Sequence, residues 1–522
     1  MNTLALIISR NSDDNVHLKL PLFLDRFVVG GRFTVTTIWK TTVLLLLAVT
    51  PLAALQAPSW GAPRNERDID FSIPDPGALN ISEAKTADEY HRRAKSRYFK
   101  GEYDKAIADL NETIRLAPQS STAYTNRGVV WAAKGEYVRA IVDYTRALKL
   151  NPSDFMAYNS RGEAWREKKK YDRAFQDFEK AIRLDPTSAR PYIGRGVTWK
   201  DKGNLKKALA ELQRAIELEP DNPHALNTRG TIWSELGESD KALADYNHAI
   251  EIDPQHAFAY SNRANVRRER GEYAKALIDH DLAIEFDARS ANSHLNRGLT
   301  WESMGRSDKA SADFDQAIRL NPRHVVAYNA RGAFRQRQGR YDAALADFHR
   351  AIDLDDQVAE SFFNRGVIWL YKGQLDKALA DYDQAIELND HYIQAYSNRG
   401  TALQLKGKYD EALEDFDRAI RIAPESPGGY NNRAWFYATC GDERHRNGKQ
   451  ALEDANKACE LSNWKDPTMI DTLAAANAEA GDFENAIKWQ KLAIKLVATK
   501  DGDISGMEKQ LKMFESGKPV RQ

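Results

Sequence analysis

A unit of 34 residues recurs twelve times between Ala87 and Lys500, and this period constrains the fold more than any other feature of the chain. Aligning Gly101, Gly135, Gly203, Gly237, Gly271, Gly305, Gly339, Gly373, Gly407, Gly441 and Gly481, with Lys169 in the one remaining place, brings every other recurrent residue into register. Such units bury their apolar faces against one another, so the 522 residues read as one elongated repeat array rather than several globular domains.

Within a unit such as Ser121 to Asp154, apolar residues recur at helical spacing on both sides of Lys134-Gly135-Glu136, and Asn151-Pro152 closes the second segment. Each unit is therefore predicted to be a helix hairpin. The eighth place is always Gly or Ala, the twentieth is Ala from Ala106 to Ala486, and the twenty-seventh is small except at Thr113. Small residues are required where helix axes approach closely. Larger ones, such as Trp131, Trp165, Trp199, Trp233, Trp301 and Trp369 at the eleventh place, fill the space between.

The unit Ala123 to Pro152 (AYTNRGVVWAAKGEYVRAIVDYTRALKLNP) resembles the tetratricopeptide repeat, and this resemblance covers about four-fifths of the chain. The last units, through NNRAWFYATC, KQALEDANKACELSNWKDP and DTLAAANAEAGDFENAIKWQKLAIKL, are similar to the closing modules of many bacterial tetratricopeptide proteins of the envelope type. The resemblance implies an all-α, right-handed α-solenoid whose first helices line a concave groove. The units run 87–120, 121–154 and onward in steps of 34 to 393–426; the eleventh carries five extra residues near 442–449, and the twelfth spans 467–500. Beyond them, in 501–522, Ile504, Met507, Leu511 and Phe514 form an apolar stripe opposite Lys509, Lys512 and Glu515, as expected of a capping helix.

Arginine occupies the seventh place in eleven units, from Arg93 to Arg433, and the twenty-third place is acidic in the same eleven, from Asp109 to Asp454. The twelfth unit loses both together, with Leu473 and Trp489. Both places lie near the middles of antiparallel helices, so a ladder of Arg–carboxylate pairs is expected, within a unit or with the next. Its expected role is to fix helix register.

In the tetratricopeptide family the second, fifth, sixth, ninth and twelfth places usually face the groove. The sixth carries Asn126, Asn262, Asn296, Asn364, Asn398 and Asn432, and Tyr260-Ser261-Asn262 and Tyr396-Ser397-Asn398 are similar to repeats that hold extended peptides through an asparagine ladder. An amide offers one acceptor group and two donors, suited to gripping a peptide main chain. The same amides could equally be solvated or bonded to neighbouring helices. In three units the asparagine moves to the fifth place, as Asn159, Asn227 and Asn329. The family's clamp for acidic chaperone C-termini is not matched, since Asn265 alone occupies a ninth place and no lysine stands at Ser261.

Lys plus Arg and Asp plus Glu number 75 each, so no long-range field gathers phosphate backbones, and nucleic acid is not an expected partner. Cys440 and Cys459 fall at positions too far apart in an antiparallel hairpin to bridge and read as inert thiols. His248, His280, His294 and His349 are scattered without metal-ligand spacing, and Gly441 to Lys449 lacks the spacing and the preceding strand of a phosphate loop. No enzyme, metal or cofactor is expected.

Residues 41 to 62 carry no charge, and Val43 to Leu55 (VLLLLAVTPLAAL) follows Arg32 and Lys40 in the pattern of a secretory signal or, alternatively, an inner-membrane anchor. Residues 1–57 are read as this export segment and 58–86 as a Pro-containing linker, with the repeats exported to the periplasm or secreted. The resulting expectation is a non-enzymatic scaffold that binds an extended peptide or helix of another protein; the alternatives are a self-associating structural envelope protein and an accessory subunit of an envelope enzyme complex.

Overall fold

The computed structural model describes residues 84–498 and 503–521. The export segment and most of the linker lie outside the described residues. Two compact units are distinguished, one ending at Asn432 and one beginning at Arg433, and each is described separately.

In the first unit, helices alternate in length and composition as the period requires. Ser121–Ala133 and Tyr137–Leu150 are one pair, Ala291–Ser303 and Ser307–Leu320 another. The residue that closes one repeat opens the next: the side chains of Ser120, Asp154, Asn222 and Ser290 each accept a hydrogen bond from the N–H three residues on. That contact satisfies one of the donors a helix start leaves open. The hairpin turn follows at a glycine such as Gly135, whose φ of 79° is open to a residue without Cβ. Lys169 occupies that place in the third repeat at a φ of 55°, a conformation that costs an L-residue roughly 1 kcal/mol.

Small residues hold their places for a specific reason. A Cβ added to Gly298 would stand 2.8 Å from Cε1 of Phe314, and one added to Gly128 would stand 2.6 Å from Cε1 of Tyr144. The ring at the twenty-fourth place thus fills the volume left by the glycine at the eighth. Where the eighth place is Ala94 or Ala264, the twenty-fourth is Leu110 or His280, with no six-membered ring to accommodate. Gly298→Ala is expected to lower stability by about 1–3 kcal/mol through overpacking. Chemical denaturation of Gly298→Ala with Phe314→Leu should recover part of that loss, because the pair reproduces the first repeat; two losses that simply add would contradict the packing account. Alanines at the twentieth and twenty-seventh places are fully buried, as Ala310 and Ala317 show, and the third place, at Ala123 and Ala327, joins them.

The ladder forms in all eleven repeats that carry its residues. Arg297 donates from Nε and Nη2 to the two carboxylate oxygens of Asp313, each at 2.8 Å. The pairing is two-pronged everywhere except at Arg195, which reaches Glu211 through Nη2 alone at 2.9 Å. In eight of these repeats the guanidinium also lies over the ring three residues earlier, as Arg263 does over Tyr260 at 5.3 Å. In the repeats with arginine at the eleventh place, Arg97, Arg267 and Arg335 add a second guanidinium to the same carboxylate. In the six repeats with tryptophan there, a cation at the nineteenth place covers the indole, as Lys309 does over Trp301 at 4.1 Å.

The remaining arginine nitrogen reaches backward along the array. Nη1 of Arg297 donates to Asp281 of the preceding repeat at 2.8 Å, and Arg127, Arg161, Arg229, Arg263, Arg331 and Arg399 likewise reach Asn111, Thr145, Gln213, Asn247, Asp315 and Asp383. Register within a repeat and stacking on its neighbour are therefore held by one side chain. The carboxylates of Asp313 and Asp281 raise the Arg297 pKa above its ordinary value, so the charge persists at every working pH.

The second unit contains the 3₁₀ turn Glu443–His445 and the helices Gly448–Leu461, Pro467–Glu479, Phe483–Ala498 and Ser505–Glu515. The five-residue insertion forms that turn, tied by Arg444 and Arg446 to Asp442, Glu443 and Glu479. In the last repeat Leu473 is buried where arginine stands elsewhere, and Trp489 replaces the acid, stacked on Trp464 at 5.3 Å. The expected capping helix is Ser505–Glu515: Met507 and Phe514 are buried, Ile504 and Leu511 partly so, and Lys509, Lys512 and Glu515 are exposed. Val520 is also buried after it, and Arg521 pairs with Glu479 at 2.5 Å. Cys440 and Cys459 are free and buried, and burial pushes the Cys459 thiol up to about 12.

Candidate functional site

The six asparagines of the sixth place do not behave alike. Asn126 is almost fully buried and its amide lies 2.5 Å from Nε2 of His91. Asn262 donates to Oδ1 of Asn227 at 3.0 Å and Asn296 to Oγ of Ser261 at 3.3 Å. In each case the partner is the fifth-place residue of the preceding repeat. Asn364 lies beside Glu360 of its own helix, Asn398 beside the buried Tyr382, and Asn432 is buried. The structure therefore brings three of these amides into a polar seam between successive first helices, and leaves Asn262, Asn296, Asn364 and Asn398 half-buried rather than closed off.

The fifth place lies deeper than its assignment to a groove lining implies. From His91 through Asn159, Asn227, Asn329 and Phe363 to Asn431 it is buried in every repeat. Two of the fifth-place asparagines, Asn227 and Asn329, belong to this same row of contacts, while Asn159 bonds Glu163 of its own helix. Asn227 supplies an acceptor, and Asn329 donates to Oγ of Ser361 in the next repeat at 2.8 Å. Their amides cross-link first helices, which costs a buried polar group little once it is paired. The Oδ1 atoms of Asn159, Asn265 and Asn329 remain buried without a hydrogen bond.

At the far ends of the first helices, charges are spent on each other. Arg166 pairs with Asp201 at 2.9 Å, Lys200 with Glu235 at 2.9 Å, and Arg337 with Glu302 at 2.5 Å, each across one repeat junction. Glu163, held by the amide of Asn159 at 3.1 Å, has its carboxyl raised by burial, and Glu360 is raised by the same cause. His280 is buried against Thr300 at 3.0 Å and burial lowers its pKa to about 3, so it is a neutral core residue. His294 bonds Asp313 at 3.1 Å, inside the ladder. No group of three or more His, Cys, Asp or Glu able to hold a metal exists among the described residues. No described helix is long and apolar enough to cross a membrane.

The inter-repeat acceptors of the arginine ladder escaped the sequence reading, although a signal was present. The twenty-fifth place carries an oxygen acceptor at Asn111, Thr145, Gln213, Asn247, Asp281, Asp315 and Asp383. Its chemical variety, amide, hydroxyl and carboxylate alike, hides a common function.

Models of the tetratricopeptide repeat match residues 359–392 and 393–426, and a second such model matches 91–146 and 295–359. A model of the ETO1 C-terminal domain matches 123–271. Among curated proteins none matches the chain. Solved structures that resemble it include a tetratricopeptide repeat protein from Parabacteroides merdae, at 22% identity over 48% of this chain and 100% of that one, with a TM-score of 0.40. The human IFIT1 dimer with PPP-AAAA is 18% identical over 66% and 92%, with a TM-score of 0.45, and Cut9–Hcn1 of the APC/C is 14% identical over 82% and 96%, at 0.44. With the repeat models matching 91–146 and 295–426, and helix pairs following the same period between and beyond them, the chain belongs to the tetratricopeptide repeat proteins.

Proposed function

We propose that the chain is a non-enzymatic interaction scaffold whose first-helix face, in repeats six to ten, takes an extended or helical segment of another protein. The observation that carries this reading is the half-exposure of Asn262, Asn296, Asn364 and Asn398 on the first helices of repeats six, seven, nine and ten, where the fifth-place row beneath them is closed. A peptide main chain offers alternating donors and acceptors, which such amides can match without requiring a particular side-chain sequence. The equal numbers of acidic and basic residues favour a protein over a nucleic acid. The apolar stretch Val43 to Leu55 supports an exported location.

The test is a crosslinking pull-down from the envelope fraction with the native chain and with Asn296, Asn364 and Asn398 changed together to Ala. Loss of specific partners is expected, with circular dichroism unchanged. A partner set identical to that of the native chain would remove the asparagine face as the binding site.

A further inference from the structure

Helix Tyr137–Leu150, the second helix of repeat two, is unlike its eleven counterparts on the side that faces solvent. Val138 and Val142, one turn apart, are 62% and 63% exposed. Arg139, Arg146 and Lys149 are the other exposed residues of that helix, and its one acid, Asp143, is buried against Arg127. Every other second helix carries at least one acidic residue outside the ladder. Glu136, just before the helix, is the nearest exposed acid in the chain.

Three departures from the repeat pattern meet here. At five junctions the aspartate of the eighteenth place pairs with the cation thirty residues later: Asp104 with Lys134, Asp172 with Lys202, Asp240 with Arg270, Asp342 with Lys372 and Asp376 with Lys406. Val138 takes the aspartate's place, and Lys168, the residue thirty positions on, pairs with no acid among the described residues. The neighbouring Lys169 stands where every other repeat has glycine, in a left-handed backbone that lysine adopts at a cost. With Lys170 it makes a run of three exposed lysines. Exposed valines and a strained lysine are each unfavourable for an isolated repeat, and stability alone explains neither; Lys168 leaves its charge available to a partner.

We propose that the outer face of repeats two and three, centred on Val138 and Val142 and rimmed by Arg139, Arg146, Lys149 and Lys168 to Lys170, docks an acidic amphipathic segment of a partner protein. The site is separate from the first-helix face. Charge complementarity selects the occupant: six cations around two aliphatic side chains fit a segment with apolar residues one turn apart and carboxylates on its flanks. Nucleic acid is disfavoured because the patch exposes aliphatic rather than aromatic side chains, so bases have nothing to stack upon.

The probe is a fluorescent 18-residue helical peptide of leucine and glutamate, with the leucines on one face, titrated into the full-length protein at low and moderate salt. A glutamate-only peptide, a single-stranded oligonucleotide and vesicles containing phosphatidylserine are the comparison arms. Saturable binding that Val138→Ser with Val142→Ser weakens at least tenfold is expected, together with weakening by Lys168→Gln with Lys170→Gln that vanishes as salt rises. Lys169→Gly guards against misfolding, since it removes a charge while relieving the backbone; it should raise thermal stability and still weaken binding. Binding of the glutamate-only peptide as tight as that of the amphipathic one would overturn the proposal. So would binding indifferent to the valines, or retention of vesicles or oligonucleotide in place of the peptide.

Discussion

Replacing Arg297 with leucine should destabilise repeat seven by about 3–5 kcal/mol, because Asp313, with 7% of its side chain exposed, would be left buried without its guanidinium. The same change frees Asp281 of the preceding repeat, so the loss should spread across the junction. Arg297→Leu combined with Asp313→Leu removes the stranded charge and should be the less damaging variant. Amide hydrogen exchange of Ala291–Ser303 and of the helix before it, read in all members of a double-mutant cycle, measures both effects. If the two single losses add, the pair is not coupled and the ladder does not hold register. Arg195→Leu supplies an internal comparison: its single-pronged bond to Glu211, and the pairing of Glu179 in the preceding repeat with Arg183 instead, predict a smaller effect confined to repeat four.

The stability of the C-terminal unit should fall as pH rises from about 4 to about 7. Asp471 is buried, accepting 2.6 Å from Nε2 of Gln490, which also donates to the Met507 carbonyl of the capping helix at 3.2 Å. Burial raises its carboxyl from 3.8 to about 6, more than its hydrogen bonds to Gln490 and Gln510 lower it. The folded form therefore holds the proton more tightly than the unfolded chain. Its contribution is complete below the unfolded value and is lost as pH climbs through 6, at a cost of about 3 kcal/mol by pH 7. Asp471→Asn should flatten the profile between pH 4 and 7. Denaturant midpoints across that range, native against variant, provide the measurement; a native profile that rises with pH would show that the carboxyl is not desolvated.

Much of the fold was legible in the chain because a period is a strong constraint. Once Gly135 and its counterparts were aligned, the hairpin, its turn and the small eighth, twentieth and twenty-seventh places followed, and Phe314 against Gly298 shows why they are small. The pairing of Arg93 with Asp109, and so on to Arg433 with Asp454, was readable from co-occurrence, since the twelfth repeat lost both at once. The candidate site was less legible. Asn126 and Asn296 looked like equivalent rungs, yet one is closed off against His91 and the other keeps an accessible side. Asn227 and Asn329 stand one place out of the row and bond across the seam to neighbouring first helices.

The division has a physical basis. A helix of 3.6 residues per turn makes positions within a repeat predictable, so the hairpin, the close helix contacts and the Arg–acid pair were determined by sequence alone. The offset at which one repeat rests on the next is set by how all its side chains pack together, and no spacing within the repeat encodes it. Tertiary structure therefore decided that Arg297 reaches back to Asp281, that Asn262 bonds Asn227, and that Val138 and Lys168 stand exposed where other repeats form an ion pair.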